Sequence, residues 1–406
     1  MLSVAEARQK IFDLLTPVTT ELIPITMAGQ RITAQNIYAN LTHPPAHTSS
    51  MDGYAIRYKD KDHYNHFEIV GSIPAGSIFS KTLQAGQCVR VFTGSFLSHE
   101  CNCVIMQENA ELSEDKKTVQ FHEENSQSGQ FIRPQGMDFK LHDLLIEKGE
   151  LLTPRHIALA AGGNNPWIEV SVKPRVGILT SGNELAMPGA PLSAGHIINS
   201  NLPMIASLIS AAGGEPVMLT PLQDKEEDLI ALLKQQNRLD LLLTLGGASV
   251  GTYDLVKTAL EKAGGHIEFW RIAMRPGKPL FAGNIGSVPV IGLPGNPVSA
   301  FVCSVLFVLP ALSFITGQKS GLEPLIEQGV ITVDWPANNT SFLLHIRSQL
   351  DISPQNGHLF TPFKNQDSSL MNVLKKSNAL FLHYPHHAPI KAGSACSLID
   401  LTRLHL

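Results

Sequence analysis

The spacing of apolar and polar positions divides the chain into stretches of different period. Near the start, Ala5, Ile11, Leu14 and Leu15 fall close to one face of a helix that Ser3 can cap. A turn and a short extended segment follow, to about residue 38. From 41 to 140 the period shortens. Runs such as FEIVGSIPAG, CVRVFTG, CNCVIMQEN, TVQFHEE and GQFIRPQG alternate with Gly, Pro and Ser turns, which predicts an all-β insert. Helical spacing returns in LLTPRHIALAAGG, with Pro154 near its start and Gly162-Gly163 at its end.

From Arg175 strands and helices alternate. RVGIL, EPVMLTPL, LDLLLTL and PVIGL read as strands. LPMIASLISAAGG, KEEDLIALLKQQNR and TYDLVKTALEKAGG read as helices between them. Continuously apolar strands predict a parallel sheet covered on both faces. The run from Val298 to Thr316 carries no charge and is long enough to span a bilayer. Its serines, Pro310 and the lack of flanking basic anchors predict a buried helix instead. Residues 318–406 are β-like again.

Composition narrows the function classes. Hydrophobic residues are 43% and charged residues 16%, which suits packed domains rather than disorder. Lys and Arg number 31 against 35 Asp and Glu, a net charge of −4, so a basic nucleic-acid surface is not expected. A local basic pocket for a small anion remains compatible with that balance. The five cysteines are odd in number and contain no CxxC pair, which predicts neither a disulfide framework nor a structural zinc site. A reducing compartment fits, and the N-terminus lacks the basic start and apolar run of a signal peptide. A cytoplasmic protein is therefore expected. The His386-His387 pair reads as solvated loop.

Ligands of open parallel α/β sheets bind beyond the carboxyl ends of the strands. Three loops are expected there: TSGNEL at 180–185, LGGASVGTYD at 245–254 and LPGNPVS at 293–299. Gly246, Gly247 and Gly251 let a backbone approach a phosphate, and Ser249 adds a hydroxyl. A Gly-rich turn serves equally as a tight turn. Arg271, Arg275 and Lys278 crowd three cations around Gly277, and Pro276 and Pro279 stiffen the chain. Such a loop suits an oxyanion better than a merely solvated face. Asp224 and Asp254 fall at the same edge, where paired carboxylates suit magnesium, or else a turn and a helix N-cap. In the β insert, Asp52-Gly53 can form a tight turn, and RVFTG and RPQGMD end two further segments. No convincing Ser/His/Asp or Cys/His set is present.

SSMDGYA, RVFTG, RPQGMDF, ILTSGNEL, INSN, LGGASVGTYD, MRPGKP and GLPGNPVSAF occur in an order and spacing that resembles the molybdopterin molybdenumtransferases, the bacterial MoeA proteins and the C-terminal domain of gephyrin. The resemblance spans nearly the whole chain. With the apolar pattern it implies a multidomain α/β and β protein. Residues 1–40 plus 141–172 would form an elongated N-terminal linker and dimer domain, and 41–140 a β insert domain. Residues 173–317 would form a central α/β sandwich of the molybdopterin-binding type, and 318–406 a C-terminal β domain. It also implies a homodimer, with each site completed by the partner's β domains.

The implied reaction is molybdate insertion into the dithiolene of adenylylated molybdopterin, with AMP release and dependence on Mg2+. A non-catalytic pterin-binding or scaffold homologue, and a molybdopterin adenylyltransferase, are the alternatives. Implied partners are the adenylyltransferase and apo-molybdoenzymes, with no nucleic acid and no membrane. Carried over by motif, Asp52, Thr93, Asp138, Glu184 and Lys278 look catalytic. Ser200, Asn201, Gly246, Gly247, Ser249, Gly251, Arg271, Arg275 and Pro279 look substrate-binding, as do Pro294, Gly295, Asn296, Ser299, Arg347 and Ser368. Asp224 and Asp254 look like metal ligands. The chain departs from the family at Asn183 and Asn199, where acids are usual, and at Asp367, where glycine is usual. An acid at 367 would be expected to repel an oxyanion.

Overall fold

A computed structural model describes residues 1–77, 79, 81–123, 125–219, 226–235, 238–246, 252–353 and 357–404, with only the backbone of 252–255 and 353. The α/β unit is built on six strands: β1 (Arg175–Thr180), β2 (Glu215–Met218), β3 (Leu241–Leu245), β4 (His266–Trp270), β5 (Phe281–Ile285) and β6 (Val288–Leu293). They lie in the order β2-β1-β3-β6-β5-β4. The first four are parallel, as the apolar pattern predicts, and β1 and β3 are almost wholly buried. The last two are not. β5 runs antiparallel to β6 through the two-residue turn Gly286-Ser287, and β4 is antiparallel to β5. Gly286 takes a positive φ, as such a tight hairpin requires. The sheet is therefore mixed, because the segment before PVIGL is itself a strand rather than only a cationic loop.

The uncharged run is the core helix of this unit. Pro297–Thr316 has a mean hydropathy of 2.4, and 78% of its most apolar stretch is buried. Pro310 has no N–H to offer the ladder, and a wider π turn occupies Ser304–Val308 just before it. The N-terminal helix Val4–Leu14 is fixed by a reciprocal capping box between Ser3 and Glu6. Its Ala7 and Ile11 are buried in the α/β core, and the backbone N–H of Ala273 donates to Leu2 O at 2.8 Å. The first fifteen residues thus pack against the α/β unit.

The rest of the expected N-terminal unit pairs Thr20–Pro24 with Trp167–Ser171 and Ile37–Tyr38 with Leu144–Ile146, around a small core that includes Ile23, Ile146 and Val170. The insert between them is a six-stranded sheet with apolar clusters on both faces. Gly53 is obligatory there, since a Cβ would stand 2.0 Å from Ile105 O on the neighbouring strand.

The C-terminal strands close on themselves. Leu343–Ser353 pairs with both Gly357–Pro362 and Ala379–His383, and Ile326–Ile331 and Ala395–Asp400 complete a ring of five. Closure removes exposed edges. One short strand from the α/β unit, Met274–Arg275, adds in parallel to Leu343-Leu344. The segment VLKKSN is not β but lies largely within a short helix, Met371–Lys376.

Candidate active site

A cleft of about 630 Å³ opens at the carboxyl ends of the parallel strands. Its walls come from the loops after β1, β3 and β6, with Ser369 and Met371 reaching in from the C-terminal domain. Of the residues expected at the site, Glu184, named as catalytic, and Ser200, Asn201, Gly246, Gly295 and Asn296, named as substrate-binding, line it. Gly246 has φ +107°, and a Cβ there would stand 2.5 Å from Ser181 O. Only glycine fits this close crossing of two loops. The Glu184 carboxylate lies against Gly182, where a Cβ would meet its oxygens at 2.8 and 2.9 Å.

Three buried polar atoms at the cleft lack partners. Thr180 ends β1 with its hydroxyl unpaired. Asn199 Oδ1 accepts from the N–H of Leu202 at 3.2 Å, which secures the start of the helix Asn201–Ala211, but its Nδ2 is unpaired. Asn201 Nδ2 donates to Gly295 O at 2.6 Å, while its Oδ1 is unpaired. Each such atom costs about 1–3 kcal/mol if left unmade. All three border the one cleft, where a polar ligand or water can meet them. In the sequence Thr180 stood out only as the start of TSGNEL, and Asn199 and Ser369 only as departures within their motifs. Their common signal is a small polar residue at a strand end or in a loop that burial then enclosed.

The C-terminal domain is locked onto the same edge. Asn296 Nδ2 donates to Ser368 Oγ at 2.9 Å, and the Val298 N–H donates to Ser368 O at 3.1 Å. Pro294 and Ser299 are buried on either side of this junction. Arg347 stands behind it with 1% exposure and is not among the residues that line the cleft. Its guanidinium donates to Asp367 O at 2.8 Å and Leu370 O at 3.2 Å, and burial lowers its pKa. Asp367 turns its carboxylate onto the N–H and hydroxyl of Ser369, at 2.8 and 2.6 Å. Those bonds depress its pKa and satisfy the charge locally.

The three cations separate. Arg271 stacks on Trp270, with its Cζ 3.8 Å from the ring centre. Arg275 and Lys278 both lie over Phe342 of the C-terminal barrel. Pro279 follows them in the turn that closes with Leu280 N–H donating to Gly277 O at 3.1 Å. None of these three cations is in an ion pair among the described residues.

Asp52, Thr93 and Asp138 lie in or beside the β insert and do not line the cleft. Asp52 Oδ1 accepts from the Thr93 N–H at 2.7 Å and hydroxyl at 2.9 Å, and the backbone bond foremost lowers its pKa. Asp138 is exposed, and its N–H donates to His43 O at 3.1 Å. Gly247, Ser249, Gly251 and Asp224 lie outside the described residues, as does the side chain of Asp254. Asp254 itself falls inside the first turn of the helix Thr252–Lys262 rather than at its cap. Among the described residues no three His, Cys, Asp or Glu side chains stand together as a metal site. All five cysteines are free and buried, and burial pushes the Cys103 thiol up to about 11, so none is a ready nucleophile.

Comparison with known proteins gives two adjoining family matches. The MoeA N-terminal region (domain I and II) matches residues 2–163, and a probable molybdopterin binding domain matches 177–313. A Haemophilus influenzae protein named molybdopterin molybdenumtransferase is 32% identical over 93% of this chain and 96% of its own. A Bacillus subtilis protein of the same name is 30% identical over 93% of this chain and 89% of its own. A crystal structure of the molybdopterin biosynthesis MoeA protein from Pyrococcus horikoshii superposes with a TM-score of 0.81, at 25% identity, over 98% of this chain and all of that one.

Proposed function

The chain belongs to the molybdopterin molybdenumtransferase family, and from that premise we propose that it inserts molybdate into the dithiolene of adenylylated molybdopterin and releases AMP. The observation that carries the reading is the cleft in which Thr180, Asn199 and Asn201 hold unpaired polar atoms around the bare backbone of Gly246. A pterin offers donors and acceptors to such atoms, and its phosphates suit a glycine turn beside a helix start.

Charge sets the mechanism. Molybdate is a dianion, and the adenylylated pterin carries a diphosphate. Holding both requires cations and backbone donors, and Arg275 and Lys278 supply the cations. Asn199 replaces a usual acid, so a donor faces the cleft where a carboxylate would repel phosphate. The protein positions two anions and polarises the phosphoanhydride; no protein nucleophile is needed. Magnesium, held by Asp224 and Asp254, would neutralise phosphate oxygens. The described residues give a hard cation one carboxylate in the cleft, Glu184, so no step is routed through the ion here.

Asp52, Thr93 and Asp138 join the reading through a homodimer, in which the insert of one subunit faces the cleft of the other. The exposed Leu22, Met27 and Trp167 of the N-terminal unit are suited to burial in such a dimer. The adenylyltransferase would deliver the substrate and apo-molybdoenzymes would take the product, in the cytoplasm. The test is molybdate-dependent release of AMP by the purified chain.

A further inference from the structure

Phe342 precedes the barrel strand Leu343–Ser353 and is only 9% exposed. Two cations from another domain cover it. Arg275 Cζ is 4.5 Å from its ring centre and Lys278 Nζ is 5.3 Å away. The backbone beneath is tightly set. Asn338, itself buried, donates to Phe342 O at 2.9 Å, and the Phe342 N–H donates to Thr340 Oγ1 at 3.3 Å. The loop that carries the cations is strapped to the same strand. Leu343 N–H donates to Ala273 O at 3.0 Å, and Arg275 pairs with Leu344.

Two long cationic side chains without carboxylate partners would ordinarily repel each other and roam in water. Over one aromatic ring, the negative π face attracts both charges and the alkyl stems gain apolar cover. Their freedom is then lost before any anion arrives, which is how preorganisation strengthens binding. We propose that Phe342 is a positioning residue, a platform that holds Arg275 and Lys278 together as a preformed site for a tetrahedral dianionic oxyanion. The inference rests on the reading of this loop as the molybdate side of the reaction. It assigns to the C-terminal barrel a part in oxyanion affinity through an uncharged side chain.

The experiment titrates molybdate alone by calorimetry, and in the AMP-release assay, with the full chain. The variants are Phe342→Leu, Lys278→Ala and a series carrying phenylalanines of rising fluorination at 342. Phe342→Leu should weaken molybdate about three- to tenfold. It should raise the half-saturating concentration more than it lowers the rate at saturation. Affinity should fall stepwise with fluorination, which drains the π face while keeping the ring's shape; a purely structural role would not respond in this way. Unchanged affinity in Phe342→Leu beside a weakened Lys278→Ala overturns the platform and leaves the loop assignment standing. Unchanged affinity in Lys278→Ala overturns both. Should Phe342→Leu fail to fold, the fluorinated series decides alone, and a flat response contradicts the proposal.

Discussion

Asn201 shows how much one side chain settles at this site. Its amide nitrogen is tied to Gly295 O, which leaves the oxygen pointing at nothing the protein provides. If a pterin N–H fills that place, Asn201→Leu should weaken binding of the adenylylated pterin by about tenfold or more, the cost of one buried partner lost. Fluorescence titration measures it; unchanged binding in a folded variant would remove Asn201 from the site. The sequence displayed INSN as a motif, but not which of its atoms would be spare. The pairing of Asp52 with Thr93 was equally hidden. Both residues were legible as turn motifs, yet their contact needs Gly53 to pair with Val91 across a strand ladder. Arg347 is a different case. It entered through the resemblance alone, and only the fold shows its guanidinium donating to the carbonyls of Asp367 and Leu370.

At the scale of elements, periodicity read the parallel strands and the buried helix correctly, because their burial on all sides writes itself into composition. It missed β5, whose residues Phe281–Ile285 mix Gly and Asn among apolar positions. It missed barrel closure too, since pairing between Leu343–Ser353 and Ala379–His383 depends on distant partners. The strand that joins the two domains carries a testable consequence. His345 is wholly buried there, and desolvation lowers its pKa to about 4 from an ordinary 6.5. The fold therefore keeps it neutral while the unfolded chain takes up a proton below 6.5. Its contribution is fully present above that pH and is lost as pH falls toward 4, by up to about 3 kcal/mol. Melting temperature followed from pH 7 to 4 should decline less in His345→Gln than in the parent chain. Parallel declines would show that His345 is not the titrating group.

For the whole molecule, one chain brings the cleft, the C-terminal loop and the cationic loop to one edge, and leaves Asp52 and Asp138 in the insert. The proposed homodimer with shared sites would resolve that separation. Asp52→Ala and Lys278→Ala proteins, each impaired at limiting molybdate, should then recover activity on mixing and exchange, because a mixed dimer holds one intact site. No recovery after demonstrated exchange would place all these residues in one subunit's site. The central claim is more direct still. Purified protein given adenylylated molybdopterin and magnesium should release AMP only when molybdate is added, in proportion to cofactor formed. A protein that binds the pterin yet releases no AMP under any molybdate concentration would contradict the account.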